Sequence, residues 1–287
     1  MSEHPTSQQP GRGRDRHPRR GRSHFAFVVL ALLAAACSRE NTVDPTTQAA
    51  ALGPSTSIVR PSGPIDELVP VGGARLHVRC VGAGDVTVVL ISGFLDAGDK
   101  WGAVTPTVSS RARVCAYDRF GDGTSDPPPA TQTFATEATD LRSALGSVDE
   151  PGPYIVVGHS FGGPEAVTFA AQFPTEVVGL VLVDASPTSW LTASCAVPDD
   201  GSPTAHVFRD NCGSISSAEN NAERLDGPTA FTEVAATGSL GSVPLSVITA
   251  AQHAYPGLAT SEEARLNHVW DSGQQRWMAL SRSLIHI

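Results

Sequence analysis

The sequence contains no C-x-x-C pair, no H-E-x-x-H and no cluster of His, Asp and Cys at ligand spacing. The usual zinc patterns are therefore absent, and no metal is expected. The glycine-rich stretch Gly158–Gly163 lacks the context of a dinucleotide fingerprint or a phosphate loop, so no cofactor is expected. There are 27 Gly and 22 Pro but no G-x-y period, which excludes a collagen-like chain. Basic residues are in deficit: 20 Lys+Arg against 29 Asp+Glu leave a net charge of -9, which weighs against nucleic acid as a partner. No internal repeat is present. What remains is a 287-residue chain, 40% hydrophobic and 17% charged, suited to a soluble globular core of one large domain or two small ones.

Charge is unevenly spread. Residues 1–24 hold six Arg against Glu3 and Asp15, a net +4, which leaves -13 for the remainder. An apolar run, Phe25–Ala36, follows the basic segment. Its twelve residues would make a helix of about 18 Å, short for a hydrocarbon core of ~30 Å. A basic region, a short apolar region and closing small residues form a secretory signal, here residues 1–36. Ala34-Ala35-Ala36-Cys37 resembles the lipobox of bacterial lipoproteins, although position 34 is usually Leu. The resemblance implies lipidation at Cys37 and a chain anchored on the outer face of the cytoplasmic membrane. Residues 37–64, rich in Ser, Thr, Pro and Ala, read as a tether. Four further cysteines allow three disulfide connectivities. Sequence separation favours Cys195–Cys212, and Cys80–Cys115 would then join two strands.

From Ile65 onward strands and helices alternate. Ile65–Val71 and Ala74–Cys80, split by Gly72-Gly73, read as a hairpin. Val86–Ile91, Arg113–Tyr117, Tyr154–Val157, Val177–Val183 and Pro244–Thr249 read as buried strands. Thr133–Leu145, Gly163–Phe173, Glu262–Val269 and Gln274–Leu280 read as helices. This alternation predicts an α/β fold with a mostly parallel sheet covered on both faces. Residues 187–240 break the rhythm, with helical fragments expected at Ala218–Leu225 and Thr229–Ala236. They read as a lid inserted over the carboxyl edge of the sheet.

The most specific motif is Gly158-His159-Ser160-Phe161-Gly162-Gly163, between the strand YIVV and the helix GPEAVTFAAQF. G-x-S-x-G in this setting is a nucleophile elbow: glycines let strand and helix backbones pass closely, and the Ser hydroxyl stands exposed on a strained turn. The N–H of Phe161 would face negative charge on a tetrahedral intermediate. On these residues the chain resembles the α/β-hydrolase family, in its exported esterase-like branch, from Ile65 to its last residue.

The resemblance implies a serine hydrolase acting on a small-molecule or lipid-like ester, without cofactor, as a monomer. Ser92-Gly93-Phe94 stands where the family has His-Gly-x, so Phe94 N–H is the implied second oxyanion donor. Tyr117–Ser125 resembles the family's Y-D-x-x-G-x-G-x-S segment, which gives Asp118 and Arg119 a structural role. The family pattern often carries Cys at the positions of Cys80 and Cys115, on neighbouring strands. Its acid follows one of two strands. Asp184 ends the first; after the second only Glu262 and Glu263 are near, in a helical turn that Ser261 would cap. Asp184 is the expected acid.

The base is harder to place. In the family it sits on a loop after the final strand. Leu284–Ile287 reads as the start of that strand, with His286 at its wrong end. His77, His159, His206 and His268 lie in a strand, the elbow, the lid and a helix. Only His253 begins on the catalytic edge, as a substitute base. The expectation is a chain lacking its last strand, His loop and helix, with little turnover. The rival class is a non-catalytic, surface-anchored binding protein on the same fold.

Overall fold

The computed structural model describes residues 60, 61 and 63–284. The signal segment, Cys37, most of the tether and His286 lie outside the described residues. Seven strands form one sheet in the order β1-β2-β4-β3-β5-β6-β7. β1 (Ile65–Val71) and β2 (Ala74–Val81) are the expected hairpin. Its turn residues Gly72 and Gly73 both have positive φ, as a two-residue hairpin turn of matching twist requires. β2 runs antiparallel to β4 (Arg113–Asp118). From there β3 (Thr87–Ile91), β5 (Tyr154–His159), β6 (Val177–Val183) and β7 (Leu245–Ile248) continue in parallel.

Period-two alternation gives the sheet two apolar faces. Val89, Ile91, Cys115, Tyr117 and Val156 enter the larger core, which includes Phe134, Leu141 and Phe169. Those three come from α2 (Phe134–Ser147) and α3 (Gly162–Gln172), α1 being the short Thr105–Ser109. Val88, Leu90, Val114, Ala116 and Val157 enter the smaller core, closed by Trp101, Val104 and Val108. That cover is a 3-10 helix, Gly98–Ala103, running into α1. The sequence showed no clear period there, because a mere three apolar side chains anchor the segment.

Between β6 and β7 lie α4 (Trp190–Cys195), α5 (Pro203–Ile215), a 3-10 turn at Ala218–Asn220 and α6 (Gly227–Ala235). The helix expected over Ala218–Leu225 is not formed. The Asn221 amide donates to the carbonyls of Ser214, Ser217 and Leu225 and accepts the Leu225 N–H, so its side chain competes with a helical backbone. Glu262–Val269 and its expected helical continuation toward Leu280 form one helix, α7 (Thr260–Met278). Its N-cap is Ala259, so Ser261 lies inside the helix and does not cap it. Cys80–Cys115 joins directly opposed residues of β2 and β4, and Cys195–Cys212 joins α4 to α5. Among the described residues no helix is long and apolar enough to cross a membrane.

The strand order reverses direction at β3: the chain first moves to β4 on one side, then to β5 on the other. A crevice therefore opens beyond the carboxyl ends of β3 and β5, where ligands of open parallel sheets bind. The loops carrying Phe94 and Ser160 leave those two ends.

Candidate active site

Ser160 follows β5 directly and sits at φ 52°. A non-glycine residue in the left-handed region carries strain that the surroundings must hold in place. Here the clamps are backbone bonds: Ser160 N donates to Val183 O at 3.2 Å, while Ser160 O accepts Gly163 N and Ser186 N, each at 3.0 Å. Two glycines make the turn possible by close approach. A Cβ on Gly158 would lie 2.1 Å from Gly162 O, and one on Gly162 would lie 2.4 Å from Ile91 O. Phe161 is the N-cap of α3, so its N–H stands at the positive end of that helix. Neither it nor the Phe94 N–H donates to another group among the described residues.

Asp184 ends the neighbouring strand β6 and is also left-handed, at φ 47°. Its carboxylate collects four donors. Oδ2 lies 2.9 Å from His253 Nε2. Oδ1 accepts Trp270 Nε1 at 2.9 Å, Thr249 Oγ1 at 3.2 Å and Ala250 N at 3.3 Å. The alternative acids are engaged elsewhere: Glu262 pairs with Arg265, and Glu263 accepts the Tyr255 N–H. His253 is fixed at its backbone by Asn267, which accepts its N–H and donates to its carbonyl. Its ring lies 4.6 Å from that of Trp270.

Ser160, Asp184, His253, Phe94 and Phe161 all line one cavity of about 520 Å³. Trp190, Phe208, Tyr255 and Trp270 form much of its remaining wall, with ring centroids 4.8 Å apart for Trp190–Trp270 and 5.5 Å for Phe208–Tyr255. Burial raises the Tyr255 phenol to about 12 and lowers the His159 imidazole, the latter against the nearby Asp184 and Asp96 charges. Ser160 Oγ lies 3.5 Å from Ser186 Oγ. Among the described residues no imidazole nitrogen is hydrogen-bonded to it.

Of the other histidines, His77 is held between Asp118 and Asp66, and His206 and His268 are exposed. Asp118 accepts the Gly98 and Thr124 N–H groups. Trp270, Thr249 and Ser186 carried no signal in the sequence; only the fold brings them to the site.

Residues 86–199 match the family model for the alpha/beta hydrolase fold. The uncharacterized protein Rv2715 of Mycobacterium tuberculosis is 39% identical over 115 residues, which are 40% of this chain and 33% of that protein. Lipase LipV of the same organism is 36% identical over 110 residues, 38% of this chain and 41% of the lipase. The chain thus spans less than half the length of these relatives. The solved structure of a membrane phospholipase A, described as a bacterial virulence factor, superposes with a TM-score of 0.53 at 17% identity, covering 78% of this chain and 77% of that one. With the sheet order and the elbow, these matches establish that the chain carries the α/β-hydrolase fold, its residues 86–199 being similar to that family.

Proposed function

We propose that the protein is a serine hydrolase that cleaves a carboxylic ester through an acyl-enzyme on Ser160. The observation that carries this is the left-handed Ser160 at the head of α3, in a cavity shared with the Asp184–His253 pair. Ser160 Oγ attacks the ester carbonyl, the carbonyl oxygen takes up negative charge, and the N–H groups of Phe94 and Phe161 receive it. The tetrahedral intermediate collapses, the alcohol leaves with a proton, and water then releases the acid. The aromatic wall suits an apolar acyl or alcohol group, and the similarity to a lipase agrees with that substrate class.

Proton removal is the slow part of this scheme. His253 spends Nε2 on Asp184, and Ser160 Oγ has Ser186 as its side-chain neighbour. Ester turnover is accordingly expected within a few-fold of a Ser160→Ala control. Free imidazole, small enough for the cavity, should raise it in the native chain and not in the control. Mass spectrometry after an activated p-nitrophenyl ester should find the acyl group on the peptide containing Ser160. No acyl mass with or without imidazole would favour a non-catalytic binding protein. Rapid turnover abolished by His253→Ala would instead make His253 the base. Export and anchoring through Cys37 belong to the same proposal; radiolabelled palmitate incorporation lost in Cys37→Ala tests them.

A further inference from the structure

The oxyanion loop is held by a part of the chain far from it in sequence. Leu95, the residue after Phe94, is left-handed at φ 56°, and its side chain is exposed and anchors little. Its N–H donates to Glu223 Oε1 at 2.6 Å. Glu223 belongs to the stretch between the 3-10 turn and α6 and is 1% exposed. On the other side of Phe94, the carbonyls of Ser92 and Gly93 accept Arg119 Nη2 and Nη1 at 2.8 and 2.9 Å. Arg119 Nε also donates to Glu165 at 2.8 Å, and Glu165 lies in the first turn of α3, just past Phe161. Arg119 Nη1 lies 3.8 Å from Glu223. The main-chain groups flanking both oxyanion donors are thus tied to one buried cluster.

We propose that Glu223 is a positioning residue for the oxyanion hole: by accepting the Leu95 N–H it fixes the direction of the Phe94 N–H, and so couples the segment between β6 and β7 to the reacting centre. The inference rests on the serine hydrolase reading. Its geometry is supported from a second side. A Cβ on Gly121 would lie 2.1 Å from Ala222 O and 2.9 Å from Glu223 N, so the loop after β4 abuts the backbone that carries Glu223. The acceptor therefore cannot drift without moving that loop.

The electrostatics fit an acceptor that is not a bare charge. Arg119 faces Glu165, Glu137 and Glu223, with Asp122 close by. One cation cannot balance four buried carboxyls. Burial drives Glu223 well above the usual carboxylate range, against the pull of Arg119. Glu223 Oε1 accepts the Leu95 N–H in either protonation state. Gln keeps an acceptor for the Leu95 N–H; an apolar side chain does not.

The test compares Glu223→Gln with Glu223→Met, which fills similar space without an acceptor of comparable strength. Hydrogen exchange is followed on peptides covering Ser92–Gly98 in the full chain. Glu223→Met should speed exchange at Leu95 at least tenfold and leave β3 and β5 unchanged; Glu223→Gln should match the native chain. With free imidazole supplied, acylation of Ser160 by the activated ester should fall roughly ten- to hundredfold in Glu223→Met, with ester affinity retained, and recover in Glu223→Gln. Native exchange in Glu223→Met, or a Gln variant as impaired as the Met one, would overturn the proposal. If Glu223→Met does not fold, Glu223→Asp, with its acceptor drawn back by a methylene, takes its place. Loss of acylation in every form, including the native chain, would strike the hydrolase reading, while the exchange result would still decide the role of Glu223.

Discussion

Asp184 and Glu137 are both carboxyls beside the oxyanion and elbow segments, yet their surroundings are opposites. Asp184 is partly exposed and faces donors in excess of its needs: an imidazole, an indole, a hydroxyl and a backbone N–H. Glu137 is 3% exposed, has no hydrogen bond to either oxygen, and competes with three other acids for Arg119, 3.5 Å away. Burial and the neighbouring acids push it well above the usual carboxylate range. The difference teaches that position relative to donors, and not residue type, decides how well a carboxyl is satisfied. The acid at the strand end is surrounded by donors and orients a ring; among those under the loop, Glu165 and Glu223 accept hydrogen bonds while Glu137 makes none.

Removing the cation should separate the two regions most. Arg119→Met leaves buried acids without their counter-charge and should cost about 3–5 kcal/mol of stability by urea denaturation at neutral pH. The loss should shrink in acid, where those carboxyls carry protons. Asp184→Asn comes next. An amide nitrogen would then face one of four donors, and stability should fall by about 1–3 kcal/mol. A neutral result would mean the donors turn elsewhere and the contrast is weaker than drawn. Trp270→Phe removes one donor and keeps the ring, with an expected cost of about 0.5–1.5 kcal/mol.

The smallest effect is one of pH. Asp140, half-buried near Glu165, is raised to about 6 from its ordinary 3.8. Its folded form holds the proton more tightly than the unfolded chain does. The stability it contributes is therefore full below about 4 and is lost as pH rises to about 6. Asp140→Asn should flatten the dependence of Tm on pH across that window. An unchanged slope would assign the window to other groups.

Much of the scaffold could be read from the chain because its signals are local. The run TVVLI, all five residues buried, could hardly be other than an interior strand. Ser160 announced itself through glycines whose role is steric contact with adjacent backbone. Asp184 followed from its place at a strand end. Other parts depend on distance. Trp270 reaches Asp184 across 86 positions, and Glu223 reaches Leu95 across 128. A Glu in a polar stretch is no different in sequence from a solvated one; burial against Arg119 gives it meaning. The helices over 98–109 and 203–215 escaped because each buries few side chains, too few to impose a period.

One contact at the elbow reaches further. A methyl on Gly163 would lie 2.3 Å from Ala185 Cβ, next to Asp184. The helix behind Ser160 and the loop of Asp184 are thus spaced by a glycine against an alanine methyl, with room for nothing larger at Gly163. The wall side chains Trp190, Phe208 and Tyr255, from α4, α5 and the loop after β7, are not among the atoms that set that spacing. The protein is divided into a frame that tolerates almost no variation and a wall that, apart from Trp270 with its bond to Asp184, can be rewritten residue by residue. A lineage of such proteins could change what it accepts without relearning how to hold its serine.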